Sequence, residues 1–277
     1  MELESQRESL RRRGLGLAAL SYDSVAILKD FAMRKEIKFP LLSDPESKVI
    51  RAFGILNDTD YPAGQLAHGV PYPGTLVIDA NGIVRSKFFE KTYVERRTAA
   101  SILTLAGETT DASLSETNTP TFTLRTSSSN AEAAPGQRVT LVLDLGLRPT
   151  MHAYAPGVQG YRPLRLVLDP QSLVTVHEAR FPPPRSYHFQ PLDETVPVFE
   201  GRFRITQDLT LAGGREFTEL LKTPQPMLAI TGTLQYQVCS DRVCYAPAAL
   251  PVRWTISVLK LDRERSPEAI QHRPANP

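Results

Sequence analysis

Two residues in this chain can do thiol chemistry, and they sit five positions apart. Cys239 and Cys244 are the only cysteines, inside the stretch LQYQVCSDRVCYAP from Leu234 to Pro247. Leu234, Tyr236 and Val238 alternate with Gln235 and Gln237, which is the period of a half-buried strand. Ser240-Asp241-Arg242-Val243 is polar and turn-like, and apolar character resumes from Tyr245 to Val252. The pattern reads as a β-hairpin with a four-residue loop and the cysteines as the first pair below the turn. Directly opposed residues of an antiparallel pair have Cα atoms about 4.5–5.5 Å apart, a separation that a disulfide spans. Closing a six-residue loop contributes only roughly 2 kcal/mol. A weak bridge at a loop tip suits reversible exchange; a plain structural bridge and two unrelated thiols are the competing readings. Arg242 would favour a thiolate and Asp241 would oppose it, so the sequence does not rank the two sulfurs. Tyr236 and Tyr245 lie at odd offsets from the nearer cysteine. On regular strands they point to the opposite face, as core or cross-strand aromatics more readily than as a shield.

Other chemistries find less support. A zinc site would need Cys239 and Cys244 with two of His152, His177 and His188. Those histidines fall on separate strands or loops with no ligand spacing, so no metal and no cofactor are expected. A net charge of +2 gives no electrostatic case for nucleic acid. No apolar run approaches the roughly 20 residues that span a bilayer. Met1–Gly14 reads as a charged amphipathic helix and lacks the apolar core of a signal peptide. Arg11–Arg13 is a solvated helix face.

The elements that must position the pair divide the chain in two. Residues 1–106 alternate helix and strand: a helix Glu2–Arg13 stopped by Gly14, a buried strand Leu15–Ser21, and a helix from an Asp23 or Ser24 cap to Lys35. A strand Phe39–Leu42, a helix to Phe53 behind Ser43-Asp44-Pro45-Glu46, and a Gly/Pro-rich loop over 57–74 follow. Then come a strand Thr75–Asp79, a tight turn at Asn81-Gly82, a return strand Ile83–Phe89 and a helix Thr92–Leu105. Residues 107–119 are small, polar and acidic, as a linker is. From 120 to 262 short alternating runs recur between prolines and glycines, the pattern of an antiparallel sandwich. These are Phe122–Thr126, Arg138–Leu145, Met151–Ala155, Leu164–Asp169, Thr175–Ala179, Arg202–Leu209, Met227–Val238 and Val252–Leu259. Leu211–Leu221 fits a loop or a short helix, and 263–277 a disordered tail.

Gly69-Val70-Pro71-Tyr72-Pro73-Gly74-Thr75-Leu76-Val77-Ile78-Asp79, with the FPLLSD stretch before Pro45, makes residues 1–106 resemble the thioredoxin-like fold in its peroxiredoxin (redoxin, AhpC/TSA) form. The resemblance implies a cis-proline at Pro73 and a backbone at Tyr72 that pairs with bound substrate. The chain departs from that family where its reactive cysteine stands: no cysteine precedes residue 239, and no strand precedes Glu2. The expectation is that the recorded start lies downstream of a strand and cysteine motif; a degenerate, inert scaffold is the alternative.

His152-Ala153-Tyr154-Ala155-Pro156, Gly160-Tyr161-Arg162-Pro163, Val196-Pro197-Val198-Phe199-Glu200-Gly201 and the cysteine stretch occur in that order. Together they resemble the N-terminal domain of the disulfide interchange protein DsbD. That resemblance implies an immunoglobulin-like sandwich with a redox cysteine pair in a hairpin, a periplasmic setting, and thioredoxin-like redox partners. It also implies a mobile aromatic cap, which position assigns to Phe199. The fold expected is an incomplete thioredoxin-like α/β domain followed by an all-β sandwich. The function expected is a thiol–disulfide oxidoreductase relaying electrons through Cys239 and Cys244, against a binding protein with a structural disulfide.

Overall fold

The computed structural model describes residues 2–58, 60, 65, 68–89, 93, 95–105, 107, 112–189, 193–213, 215–262 and 264–271. It divides into two compact units, residues 1–99 with 262–277, and residues 100–261.

The first unit runs α1 (Glu2–Arg12), β1 (Ala19–Ser21), α2 (Val25–Arg34), β2 (Leu41–Ser43), α3 (Lys48–Ala52), β3 (Gly74–Ile78), β4 (Val84–Phe89) and β5 (Arg96–Arg97). Local chemistry sets these limits. Ser24 caps α2, its hydroxyl accepting from the Ile27 N–H at 3.4 Å. Asp44 serves α3: its two carboxylate oxygens accept from the N–H groups of Lys48 and Ile50, each at 2.9 Å, satisfying donors that a helix start leaves open. Asp79 holds the β3–β4 turn by accepting from the N–H groups of Asn81 and Ile83. Gly82 supplies the positive φ of +78° that the turn requires. β1 and β2 pair in parallel, and β3 and β4 antiparallel. Leu10, Leu28, Phe39 and Ile50 are buried, while Leu20, Leu42 and Ile78 remain exposed.

Three expectations change in this unit. The helix expected from Thr92 begins at Ala99, as α4 (Ala99–Leu105), with β5 before it; Thr92 itself lies outside the described residues. The Tyr72–Pro73 bond is trans, and no cis bond occurs among the described residues. The Tyr72 N–H is already given to Ile55 O at 2.8 Å, beside an isolated bridge between Leu56 and Pro71. Past the second unit the chain returns: Asp262 and Glu264 pair with Lys35, and Glu264 and Ser266 with Arg34. A short 3-10 turn, Glu268–Ile270, follows in the segment expected as a loose tail.

The second unit takes up α4 from Ala100 and continues as β6 (Ser115–Asn118), β7 (Phe122–Ser128), β8 (Glu132–Ala133), β9 (Gln137–Leu147), β10 (His152–Tyr154), β11 (Arg165–Leu168), β12 (Val174–Arg180), β13 (Arg185–Phe189), β14 (Glu194–Glu200), β15 (Arg202–Leu211), β16 (Met227–Tyr236), β17 (Val238–Cys239) and β18 (Ala248–Val258). Ser115–Asn118, expected within the linker, is thus a strand, antiparallel to β7. One sheet is ordered β12-β15-β9-β7-β6, a second β11-β16-β18-β8, and a third β13-β14-β10-β17. Period-2 alternation builds one core between the first two. Leu141, Leu143 and Leu145 of β9 and Ile205 and Leu209 of β15 pack with Leu228, Ile230 and Leu234 of β16 and Val252, Trp254 and Ile256 of β18. Trp254 is fully buried, and its indole N–H donates to Ser127 O at 2.9 Å. After β15 ends at Leu211, the described residues 212, 213 and 215–219 are irregular and lead into a 3-10 turn at Leu220–Lys222; Phe217 beside it is buried.

Candidate redox site

The cysteine stretch is not one continuous hairpin. β16 pairs with β18 down to Tyr236↔Ala248 and then ends. Two residues on, β17 joins the third sheet beside β10, with His152 opposite Cys239 and Ala153 opposite Val238. Gln237 stands at the switch and braces both sides: its Oε1 accepts from Arg162 N–H and its Nε2 donates to Tyr245 O. The loop is tied by Ser240, whose hydroxyl oxygen accepts from the N–H groups of Arg242 and Val243 at 3.1 and 3.0 Å. Ser240 N–H donates to Val243 O at 2.8 Å, and Tyr245 N–H to Val238 O at 3.0 Å. Cys239 and Cys244 therefore face each other across an isolated antiparallel bridge, Cα atoms 4.0 Å apart, and are joined by a disulfide.

The two halves of the bridge differ. Cys239 is 1% exposed, whereas Cys244 is exposed, along with the loop residues between Ser240 and Cys244. Cys239 lies in a small satellite cluster with Tyr154, Val196 and Val198, against which Val158, Tyr161 and Tyr187 pack. Strand parity selects these neighbours. His152 and Tyr154 share one face of β10 while Ala153 turns to the main core. Val196 and Val198 share one face of β14.

Tyr154 is the polar group of the cluster. Its hydroxyl lies 3.3 Å from Cys239 Sγ and 3.7 Å from Cys244 Sγ. Its ring stacks on Tyr161 at 4.2 Å between centroids. The Tyr161 hydroxyl in turn donates to the Glu194 carboxylate at 2.9 Å. Burial, with the nearby Tyr161 and Glu194, pushes the Tyr154 phenol up to about 12. The hydrogen bond to Glu194 raises Tyr161. His152, opposite Cys239 and 4.3 Å from the Tyr187 ring, is lowered by burial, with Glu200 acting against that. An aromatic-walled site around one sulfur with the other sulfur open to solvent suits a bridge that is attacked from outside at one end.

The remaining sequence-derived candidates divide. Phe199, assigned to a mobile cap, is a core residue: it is 3% exposed within β14 and stacks on Phe203 at 4.8 Å and Phe181 at 6.1 Å. It points away from the sulfurs because Val198, its neighbour, points toward them. Tyr236 meets Phe122 edge-on at 4.9 Å on the main-core side, the opposite face from Cys239. Tyr245 is exposed. Arg242 is exposed at the loop tip with Asp241 at 4.0 Å. Tyr72 and Pro73 lie in the first unit, which holds no cysteine. Of the three histidines weighed as zinc ligands, only His152 adjoins the pair. His177 bonds Thr210 at 2.8 Å on the first sheet, and His188 lies on β13 beside Thr195. Tyr187 and Glu194 carry no signal in the sequence, and Tyr154 and Tyr161 figure there only inside the His152–Pro156 and Gly160–Pro163 motifs.

The site defines a class: a disulfide-bearing antiparallel β unit, with an α/β unit ahead of it in the chain. Comparison with known proteins agrees. Residues 122–253 match the family model for the thiol:disulfide interchange protein DsbD, N-terminal, and residues 1–87 match that of the AhpC/TSA family. Among solved structures it is similar to the N-terminal periplasmic domain of ScsB from Proteus mirabilis, at 12% identity and a TM-score of 0.37, over 51% of each chain. It is also similar to the Neisseria meningitidis DsbD N-terminal domain in the reduced form, at 15% identity and a TM-score of 0.29, over 42% of this chain and 80% of that one. The chain thus spans about half the length of the ScsB domain. No curated protein matches it in sequence. Among the described residues no helix is long and apolar enough to cross a membrane.

Proposed function

We propose that the second unit is a thiol–disulfide exchange module that relays electrons through Cys239 and Cys244 to or from a thioredoxin-like partner. The observation that carries this reading is the asymmetry of the bridge: Cys244 is exposed while Cys239 is buried among tyrosines. Exchange needs a sulfur that an external thiolate reaches, and Cys244 provides it. The partner thiolate attacks Cys244 Sγ, the bond to Cys239 breaks, and Cys239 departs as the thiolate. The partner's second thiolate then attacks its own sulfur in the mixed disulfide and releases Cys244. The partner dithiol ends oxidised to a disulfide, and Cys239 and Cys244 end reduced by the same two electrons. Run backward, the reduced pair attacks a partner disulfide from Cys244. The AhpC/TSA and DsbD N-terminal matches support redox chemistry of this kind. With this reading go a thioredoxin-like first unit, an immunoglobulin-like second unit and a periplasmic location, where disulfides persist.

The test is trapping. Cys239→Ser removes the sulfur that resolves a mixed disulfide on Cys244, so this variant should accumulate a covalent adduct with an oxidised thioredoxin-like protein, while Cys244→Ser should not. Adducts from neither variant would leave the bridge as a structural brace on a binding scaffold.

A further inference from the structure

We propose that Tyr154 is a catalytic hydrogen-bond donor for this exchange, its hydroxyl receiving the Cys239 thiolate as the bridge opens. The inference rests on the exchange reading above and adds a residue to it. A disulfide sulfur carries no hydrogen, so along the 3.3 Å contact to Cys239 Sγ and the 3.7 Å contact to Cys244 Sγ only the Tyr154 hydroxyl can donate; its one proton is shared with the Tyr161 oxygen, to which it is also hydrogen-bonded, and a thiolate on Cys239 is the stronger acceptor that draws it over. The leaving sulfur is the one already held more closely, and it is the buried one. A thiolate formed there has little access to water, and a charge left without a partner in such a place is costly. Among the described residues the Tyr154 hydroxyl is the side-chain hydrogen-bond partner of either sulfur.

The groups around it leave this task to Tyr154. On the same strand His152 is pushed toward its neutral form by burial. Tyr161 gives its proton to Glu194 and therefore cannot serve the sulfur with it. Tyr187 of β13 packs through its ring. Glu194 and Glu200 of β14 are acceptors and would oppose a thiolate. On the loop, Asp241 opposes it too, and Arg242 lies out in solvent. The Tyr154 ring is fixed from both sides, by the stack on Tyr161 and by pairing of its backbone with Val198 on β14. A phenol held near 12 stays protonated throughout the range in which thiols titrate, so Tyr154 donates a hydrogen bond without surrendering its proton. In the step, the electron pair of the broken S–S bond goes to Cys239 Sγ, the Tyr154 O–H remains intact and points at it, and solvent later protonates Cys239.

A hydrogen bond to a charged group contributes enough to change a rate or an acidity about tenfold. Two measurements read this out. In a Cys244→Ser background, where Cys239 is the only thiol, Tyr154→Phe should raise the Cys239 pKa by about one unit, followed by thiolate absorbance. In the two-cysteine protein, Tyr154→Phe should slow reduction of the bridge by dithiothreitol about tenfold. The phenyl ring keeps the stack on Tyr161, so packing is preserved. Tyr187→Phe removes a hydroxyl from the same cluster without touching sulfur and should change neither quantity. The proposal is overturned if Tyr154→Phe leaves both within about twofold, or if Tyr187→Phe shifts them equally. Dithiothreitol replaces the protein partner here, so failure to trap a partner overturns the exchange reading without deciding this one, and the reverse holds as well.

Discussion

Opening the Cys239–Cys244 bridge should leave the second unit folded. The perturbation is reduction by dithiothreitol, with Cys239→Ser/Cys244→Ser as its permanent equivalent. The bridge closes a six-residue loop, for which the entropy gain is about 2 kcal/mol. The residues that hold the unit together lie elsewhere: Cys239 touches the satellite cluster, whereas Phe122, Leu141, Leu143, Ile205, Ile230 and Trp254 form the main core. For a unit of this size each kcal/mol moves the melting temperature by about 2–4 °C, so reduction should lower it by roughly 4–8 °C. Trp254 is the assay, being the only tryptophan, fully buried and in the middle of β18. Its fluorescence should report one cooperative transition in both redox states, with the native emission unchanged by reduction. Loss of the native Trp254 signal on reduction, or a drop well beyond about 15 °C, would show the bridge to be a staple on which the fold depends.

Two further outcomes follow from the packing on either face of the third sheet. Phe199→Ala should cost about 3–5 kcal/mol of stability, as truncating a buried aromatic does. If Phe199 were a lid over the sulfurs, the variant would instead be near wild type in stability and faster in thiol exchange; denaturant titration separates the two. His152 carries a pH dependence. Its pKa in the folded protein lies below the ordinary value of about 6.5, so between the two values the unfolded chain binds more protons, and stability falls as pH drops below about 6.5. Urea titrations between about pH 5 and 7.5 should show a shallower slope with pH for His152→Phe than for wild type; equal slopes would mean that burial does not bias this ring.

How much of this was legible depends on range. Ser24, Asp44 and Asn81-Gly82 act on residues within a few positions, and their roles could be read directly. The alternation of Leu141, Leu143 and Leu145, or of Val252, Trp254 and Ile256, is long enough to declare a strand and its inner face. β10 spans only three residues, too few for a period, and the place of Tyr154 beside the sulfurs is set by pairing with β17, far along the chain. Glu194 reaches the site only through Tyr161. Phe199 shows the opposite failure. Its parity against Val196 and Val198 stands in VPVFE and turns Phe199 to the main core, whereas position along the family motif alone says nothing of which face it takes. The sheet switch at Gln237 left no mark in the alternation, because Tyr236 and Val238 keep the same parity on either side of it.

The redox reading stands or falls on the equilibrium potential of Cys239 and Cys244. It is measured by incubating the whole chain in glutathione buffers of graded poise and counting free thiols by mass after alkylation. Exchange chemistry requires a potential above about −300 mV, within reach of thioredoxin-like proteins. A potential well below about −300 mV, the range of structural disulfides, would contradict the account and leave the bridge as a brace.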